Sequence, residues 1–154
     1  MNGSFLDLLR VHDTFLELFH QHQDALLDRD FARALDRLLE LRRALEQHMR
    51  AEEELFSELF AATEEVRGIP LDLFLGEHKH LRELLGQFES ALRRLDAADP
   101  AIRRRVLELL DEESLWKAFF RHHDERERNI LYPALDRNSE SADRARRLGR
   151  FPAA

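Results

Sequence analysis

The chain has 154 residues, a formal net charge of -7, 44% hydrophobic and 36% charged residues, and no cysteine. That apolar content over one domain's length excludes a disordered chain, and that charge density excludes an integral membrane protein. The missing cysteine excludes disulfides, thiolate nucleophiles, Cys-ligated zinc and iron–sulfur clusters. The acidic balance argues against nucleic acid as a partner. No apolar run reaches the ~20 residues of a membrane span, and no basic region followed by an apolar run opens the chain, so a soluble, cytoplasmic protein is expected.

Apolar residues recur at helical spacing from the start. Residues 4–28 carry Phe5, Leu8, Leu9, Phe15, Leu16, Phe19 and Leu26, with Ser4 as a plausible N-cap. Asp28-Arg29-Asp30 interrupts the pattern, and Asp30 can cap a second helix from Phe31 to about Ala62, through Leu35, Leu38, Leu41, Leu45, Leu55 and Leu59. Gly68 and Pro70 mark a stop and a new start. A third run, about 70–96, passes through Phe74, Leu75, Leu81, Leu85, Phe88 and Leu92. Asp99-Pro100 reads as an N-cap with Pro at the first helical position, opening a fourth run to about Asp136 through Val106, Leu110, Trp116, Phe119, Phe120, Ile130 and Leu131. The stretch Asp111-Glu112-Glu113-Ser114 is a candidate break or bend in it. The pattern predicts an all-α, antiparallel up-down-up-down four-helix bundle over 1–137. A polar tail, 138–154, has room for one short helix near 141–148.

Eight histidines stand against one Tyr and one Trp. A helix rises about 1.5 Å per residue, so distance from a connection gives height in a bundle. His12 lies 17 residues before Arg29 and His48 lies 19 after it. His78 lies 20 residues before Ala98 and His123 lies 23 after Pro100. Glu52 is level with His78 across the second connection. One histidine from each helix therefore falls at one height, and each sits on an apolar stripe.

His48 and His123 each begin a His-x-x-x-Glu pair, with Glu52 and Glu127 one turn on and on the same face. With 18 glutamates in 154 residues, about one such pair is expected by chance, so the signal is the coincidence of level and face. Carboxylates on an apolar stripe need cations. A pair of divalent or trivalent metals, bridged by Glu52 and Glu127 and bound by His12, His48, His78 and His123, is the economical partner. His20, His22, His80 and His122 fall off that level or face and are expected to be solvated or to stand behind the ligands. Glu53 and Glu54 extend a charged face, with Glu53 close enough to stand behind the site. Trp116 reads as core.

The segments His48-Met-Arg-Ala-Glu52-Glu-Glu-Leu-Phe and His123-Asp-Glu-Arg-Glu127-Arg-Asn-Ile-Leu-Tyr-Pro133 resemble the two signature stretches of the hemerythrin-like, HHE cation-binding domain family. His78, after Glu77, resembles that family's third-helix ligand and His12 its first-helix ligand, so the likeness covers about residues 4–136. The resemblance implies a non-haem di-iron centre. His12, His48, His78 and His123 would be terminal ligands, Glu52 and Glu127 would bridge, and an oxo or hydroxo group would complete it. Oxygen-carrying hemerythrins place two histidines four apart on the third helix, where this chain has Phe74 and Arg82. They also place an Asp five residues after the fourth-helix histidine, where this chain has Glu127 at four. Both departures fit the HHE branch and leave iron with open positions.

The function so implied is binding of, or reaction with, O2, peroxide or nitric oxide, in sensing, storage or detoxification. A di-iron oxidase or peroxidase-like enzyme is a second class, and an iron-responsive or iron-donating regulatory module a third.

Overall fold

The computed structural model describes residues 4–59, 65–66 and 69–152. Ser4 opens the fold: its hydroxyl accepts from the Leu6 N–H while Asp7 reaches back to the Ser4 N–H. The chain enters as a 3-10 turn, Phe5–Leu9, and continues into α1, Arg10–Leu27. Arg29 adopts φ 55 and turns the chain within three residues. The Asp30 carboxylate accepts from the Arg33 N–H at 3.1 Å and starts α2, Phe31–Leu59. The expected end of this helix near Ala62, and Gly68, lie outside the described residues. A two-rung antiparallel ribbon that the sequence did not suggest, β1 (Glu65–Val66) with β2 (Ile69–Pro70), precedes α3, Leu71–Arg93.

Two expectations about the fourth run need correction. Helix α4 begins at Ile102, not at Pro100. Asp99 instead accepts from the Ala101 N–H and folds a turn ahead of the helix. Nor does Asp111–Ser114 break it: α4 runs unbroken to Arg126, because Glu113 is buried with a partner and the Ser114 hydroxyl bonds back to the Asp111 carbonyl. The real irregularity is a π turn, Glu127–Leu131, which leads into α5, Tyr132–Arg137. The short helix expected in the tail forms as α6, Ser141–Leu148.

Cross-helix contacts fix the register. His12 meets His48 and His22 meets the Ala34 carbonyl, so α1 and α2 run antiparallel. Arg82 meets both Glu46 and Glu53 on α2, and His123 meets Glu77 on α3. His12 meets Asp124 and His22 meets Glu113, closing α4 back onto α1. The result is the helical bundle that the apolar stripes predict. Its apolar interior is in two parts. One contains Phe15, Phe19, Leu38, Leu41, Leu85, Trp116 and Phe120. The other, at the opposite end, contains Phe5, Leu9, Phe56, Phe74, Leu131 and Tyr132, with Leu148 and Phe151 of the C-terminal segment packed against it. Leu75, read as an apolar-stripe residue, is 41% exposed. No described helix is long and apolar enough to cross a membrane.

Candidate metal centre

The two apolar clusters leave a gap, and the six expected residues fill it. His12 follows Leu9 and precedes Phe15, His48 lies between Leu45 and Leu55, His78 between Phe74 and Leu81, and His123 between Phe120 and Leu131. All four imidazoles and the carboxylates of Glu52 and Glu127 are buried, none more than 3% exposed.

The inward-facing atoms converge. His12 Nε2 and His48 Nε2 are 3.1 Å apart. Glu52 Oε1 lies 2.9 Å from His48 Nε2, and its other oxygen lies 3.2 Å from His78 Nε2. Glu127 Oε1 lies 3.0 Å from His123 Nε2 and 3.7 Å from His78 Nε2, while its Oε2 lies 3.5 Å from His12 Nε2. Glu52 thus turns one oxygen toward His48 and the other toward His78, and Glu127 turns one toward His12 and the other toward His123 and His78. Two groups of donors result, Glu52 with His78, His123 and Glu127, and Glu52 with His12 and His48.

These spacings suit a metal. Donors about 2.1 Å from one ion stand about 3.0 Å apart at a right angle and about 3.4 Å apart at a tetrahedral one. Direct hydrogen bonding does not account for the cluster. Glu52 Oε2, both oxygens of Glu127 and His78 Nε2 are buried without a hydrogen-bond partner, although the atoms face one another closely. A buried polar atom in that state costs roughly 1–3 kcal/mol, more when charged, so four of them in one place call for a cation to face.

On their outer side, three of the four rings donate through Nδ1 to a carboxylate: His12 to Asp124 at 2.7 Å, His78 to Glu53 at 2.9 Å and His123 to Glu77 at 2.7 Å. This fixes the tautomer that points Nε2 inward and raises the basicity of that nitrogen. Each carboxylate is itself held by an arginine, Asp124 by Arg128, Glu53 by Arg82 and Glu77 by Arg126. The fourth ring, His48, packs instead against Phe151, with ring centroids 5.6 Å apart. The buried Tyr132 hydroxyl donates to Glu52 Oε1.

The charges of the cluster set its proton affinities. Burial pushes His48, His78 and His123 down, but the carboxylates around them more than offset it, Glu52 for His48, Glu127 and Glu52 for His78, and Glu127 with Glu77 for His123. All three rise, His123 to about 9. Burial raises Glu52, yet His48 and His78 hold it well below the usual carboxylate range. Burial and the Glu52 charge raise Glu127, and His123 and His78 bring it below its ordinary value. Burial and the two carboxylates keep Tyr132 a phenol. Without metal, His48, His78 and His123 therefore hold protons more tightly than a free imidazole does, and a cation that takes their nitrogens competes with those protons.

Glu53 stands behind the site, as its position allowed, whereas Glu54 is exposed. His20, His80 and His122 are exposed. His22 departs from the expectation: it is fully buried, neither solvated nor behind a ligand. Its Nδ1 lies 2.7 Å from the Ala34 carbonyl and its Nε2 2.6 Å from Glu113 Oε1, and Glu113 also accepts from Gln23. Sequence reasoning missed Glu77, Asp124, Tyr132 and Glu113. A signal existed for two of them. Glu77 follows Phe74 by three and precedes Leu81 by four, and Glu113 follows Leu109 by four and precedes Trp116 by three, so both lie on apolar stripes. Trp116 is core, stacked between Phe19 and Phe120.

A bundle whose four long helices each bring a buried histidine to one level, with two carboxylates among them, defines a metal-binding four-helix protein. The hemerythrin HHE cation-binding domain matches residues 6–135, and the chain belongs to that family. Comparison with curated proteins and with solved structures returns no match.

Proposed function

We propose that this chain holds two iron ions. His12 and His48 would bind one and His78 and His123 the other, with Glu52 and Glu127 bridging, and the centre would bind or react with O2, peroxide or nitric oxide in the cytoplasm. The observation that supports this reading best is the division of each carboxylate between the two imidazole pairs, which calls for two cations rather than one. Imidazole and carboxylate donors also suit manganese and zinc, and the preference for iron comes from the family. Held by two imidazoles and the shared carboxylates, each ion would keep positions open to a small ligand, and bound iron would supply the redox chemistry.

The residues of the chain keep the donors in place and keep water and large substrates out. Phe15 and Phe120 pack against His12, and Phe56 packs against His78. Glu77, Asp124 and Glu53 retain the Nδ1 protons, and Tyr132 holds Glu52. Walls of this kind favour a diatomic ligand or peroxide over an organic substrate. The reading is tested by loading the protein with ferrous iron anaerobically and adding O2, hydrogen peroxide or nitric oxide in turn. An absorption change with at least one of them, lost in His48→Ala with His123→Ala, supports it. A loaded protein inert to all three refutes it.

A further inference from the structure

Three of the four inward-facing imidazoles are backed by a carboxylate on one of the long helices, Asp124, Glu53 and Glu77. His48 differs. Among the described residues its Nδ1 has no hydrogen-bond partner, and the ring of Phe151 lies against it. Phe151 belongs to the segment that follows α5, beyond residue 135, where the family match ends. The wall behind His48 is therefore built by a part of the chain outside the four long helices.

That wall is lightly attached. No residue of α6 is buried. Leu148 and Phe151 are only half-buried against the apolar cluster of Phe5, Leu9 and Tyr132. Arg147 and Arg150 both pair with Glu58 of α2, whose side chain is 39% exposed, and Arg144 donates to the carbonyls of Asp136 and Ser139. Exposed ion pairs hold weakly. A segment with few buried apolar contacts opens at far lower cost than the bundle it rests on. The other phenylalanines packed against the four imidazoles, Phe15, Phe56 and Phe120, are no more than 4% exposed and sit on α1, α2 and α4. Of the aromatic walls, the one at Phe151 yields first.

We propose that the C-terminal segment is a gate on the His48 side of the cluster, with Phe151 as the residue that controls passage. The existence of the gate is independent of the metal reading; what passes it, metal ions and small ligands, rests on that reading. When the segment lifts, the bundle stays folded and His48 is uncovered, with His12 Nε2 3.1 Å from its Nε2. Entry and exit at this side serve the His12 and His48 pair first, while the carboxylates behind His78 and His123 stay in place.

The experiment has two arms, both on the full chain. In the metal-free protein, histidines are carbethoxylated with diethyl pyrocarbonate and the rate at each is read by mass spectrometry, with the exposed His20 and His122 as internal standards. Phe151→Ala, and separately Arg147→Glu with Arg150→Glu, are expected to raise the rate at His48 by at least about tenfold and to leave His78 and His123 unchanged. Phe151→Leu, which keeps an apolar cover, is expected to stay close to the wild type. Unfolding would raise all the buried histidines together, so the pattern separates a gate from a structural prop. In the iron-loaded protein, Phe151→Ala is expected to hand its iron to an excess of chelator at least about tenfold faster, with the same number of ions at saturation. An unchanged rate at His48 in both variants overturns the gate, as does a rise shared by His78 and His123. An uncovered His48 with an unchanged rate of iron release also overturns it. A chain that takes up no iron refutes the function proposed above, and the metal-free arm still decides the gate.

Discussion

Glu77 offers a sharp test of how the cluster is held, because it touches no inward-facing atom. It is 3% exposed, accepts the His123 Nδ1 proton at 2.7 Å and pairs with Arg126. Glu77→Gln keeps the volume and an accepting oxygen but removes the charge. His123 then loses one of the two carboxylates that raise it, and its Nε2 becomes a weaker donor. Loss of such an outer partner lowers metal affinity by about 10–100-fold, which is about 1.4–2.7 kcal/mol. On the proposed two-ion reading, the step at His78 and His123 weakens while the number of ions at saturation stays unchanged. Competition against a chelator of known affinity, at fixed pH, reads that shift. Glu54→Gln, on an exposed neighbour of the site, is the control. An affinity in Glu77→Gln within about threefold of the wild type would refute the claim that the outer carboxylates tune the imidazoles.

Other outcomes follow from the same contacts. Tyr132→Phe removes the donor to Glu52 Oε1 and is expected to cost about 1–3 kcal/mol in the metal-free protein and less in the loaded one, as urea titrations of both forms will show. Glu113→Ala leaves the buried His22 Nε2 without its hydrogen-bond partner, and a loss of about 1–3 kcal/mol with unchanged metal stoichiometry is expected, since this pair lies in the core away from the cluster. The pH response of the metal-free protein has a defined sign. His48, His78 and His123 are raised, so their contribution is whole below the ordinary 6.5 and drains away as pH rises toward the value of about 9 for His123. Glu52 and Glu127 are lowered from 4.5, so theirs is present above that value and lost on acidification. The metal-free Tm should therefore peak between those limits and fall from pH 6.5 to 9, and a Tm that rises over that interval contradicts the ordering of charges.

The bundle was legible because its evidence is periodic. Apolar stripes, a three-residue turn at Arg29 and the Pro70 restart are local signals, and height along a helix followed from counting. The same counting brought His12, His48, His78 and His123 to one level, and the i, i+4 rule added Glu52 and Glu127. The outer partners required knowledge of how neighbouring helices rotate against one another. His123 finds Glu77 from 46 positions away and His12 finds Asp124 from 112, and no spacing on one helix reveals such a pair. His22 and Glu113 pair across 91 positions in the same way, although the apolar stripe alone marks Glu113 as facing inward. Asp111–Ser114 reads as a break or bend because three consecutive acids mask the one that turns inward. The π turn at Glu127–Leu131 depends on a hydrogen-bond shift that composition does not encode, although such turns gather at functional sites.

Locating the metal directly is the decisive measurement. Crystals of the iron-loaded protein, with anomalous differences collected on either side of the iron absorption edge, are expected to show two iron peaks per chain. Glu52 and Glu127 would each touch both, with His12 and His48 on one and His78 and His123 on the other. A single peak, or a pair of peaks sharing neither carboxylate, would contradict the account.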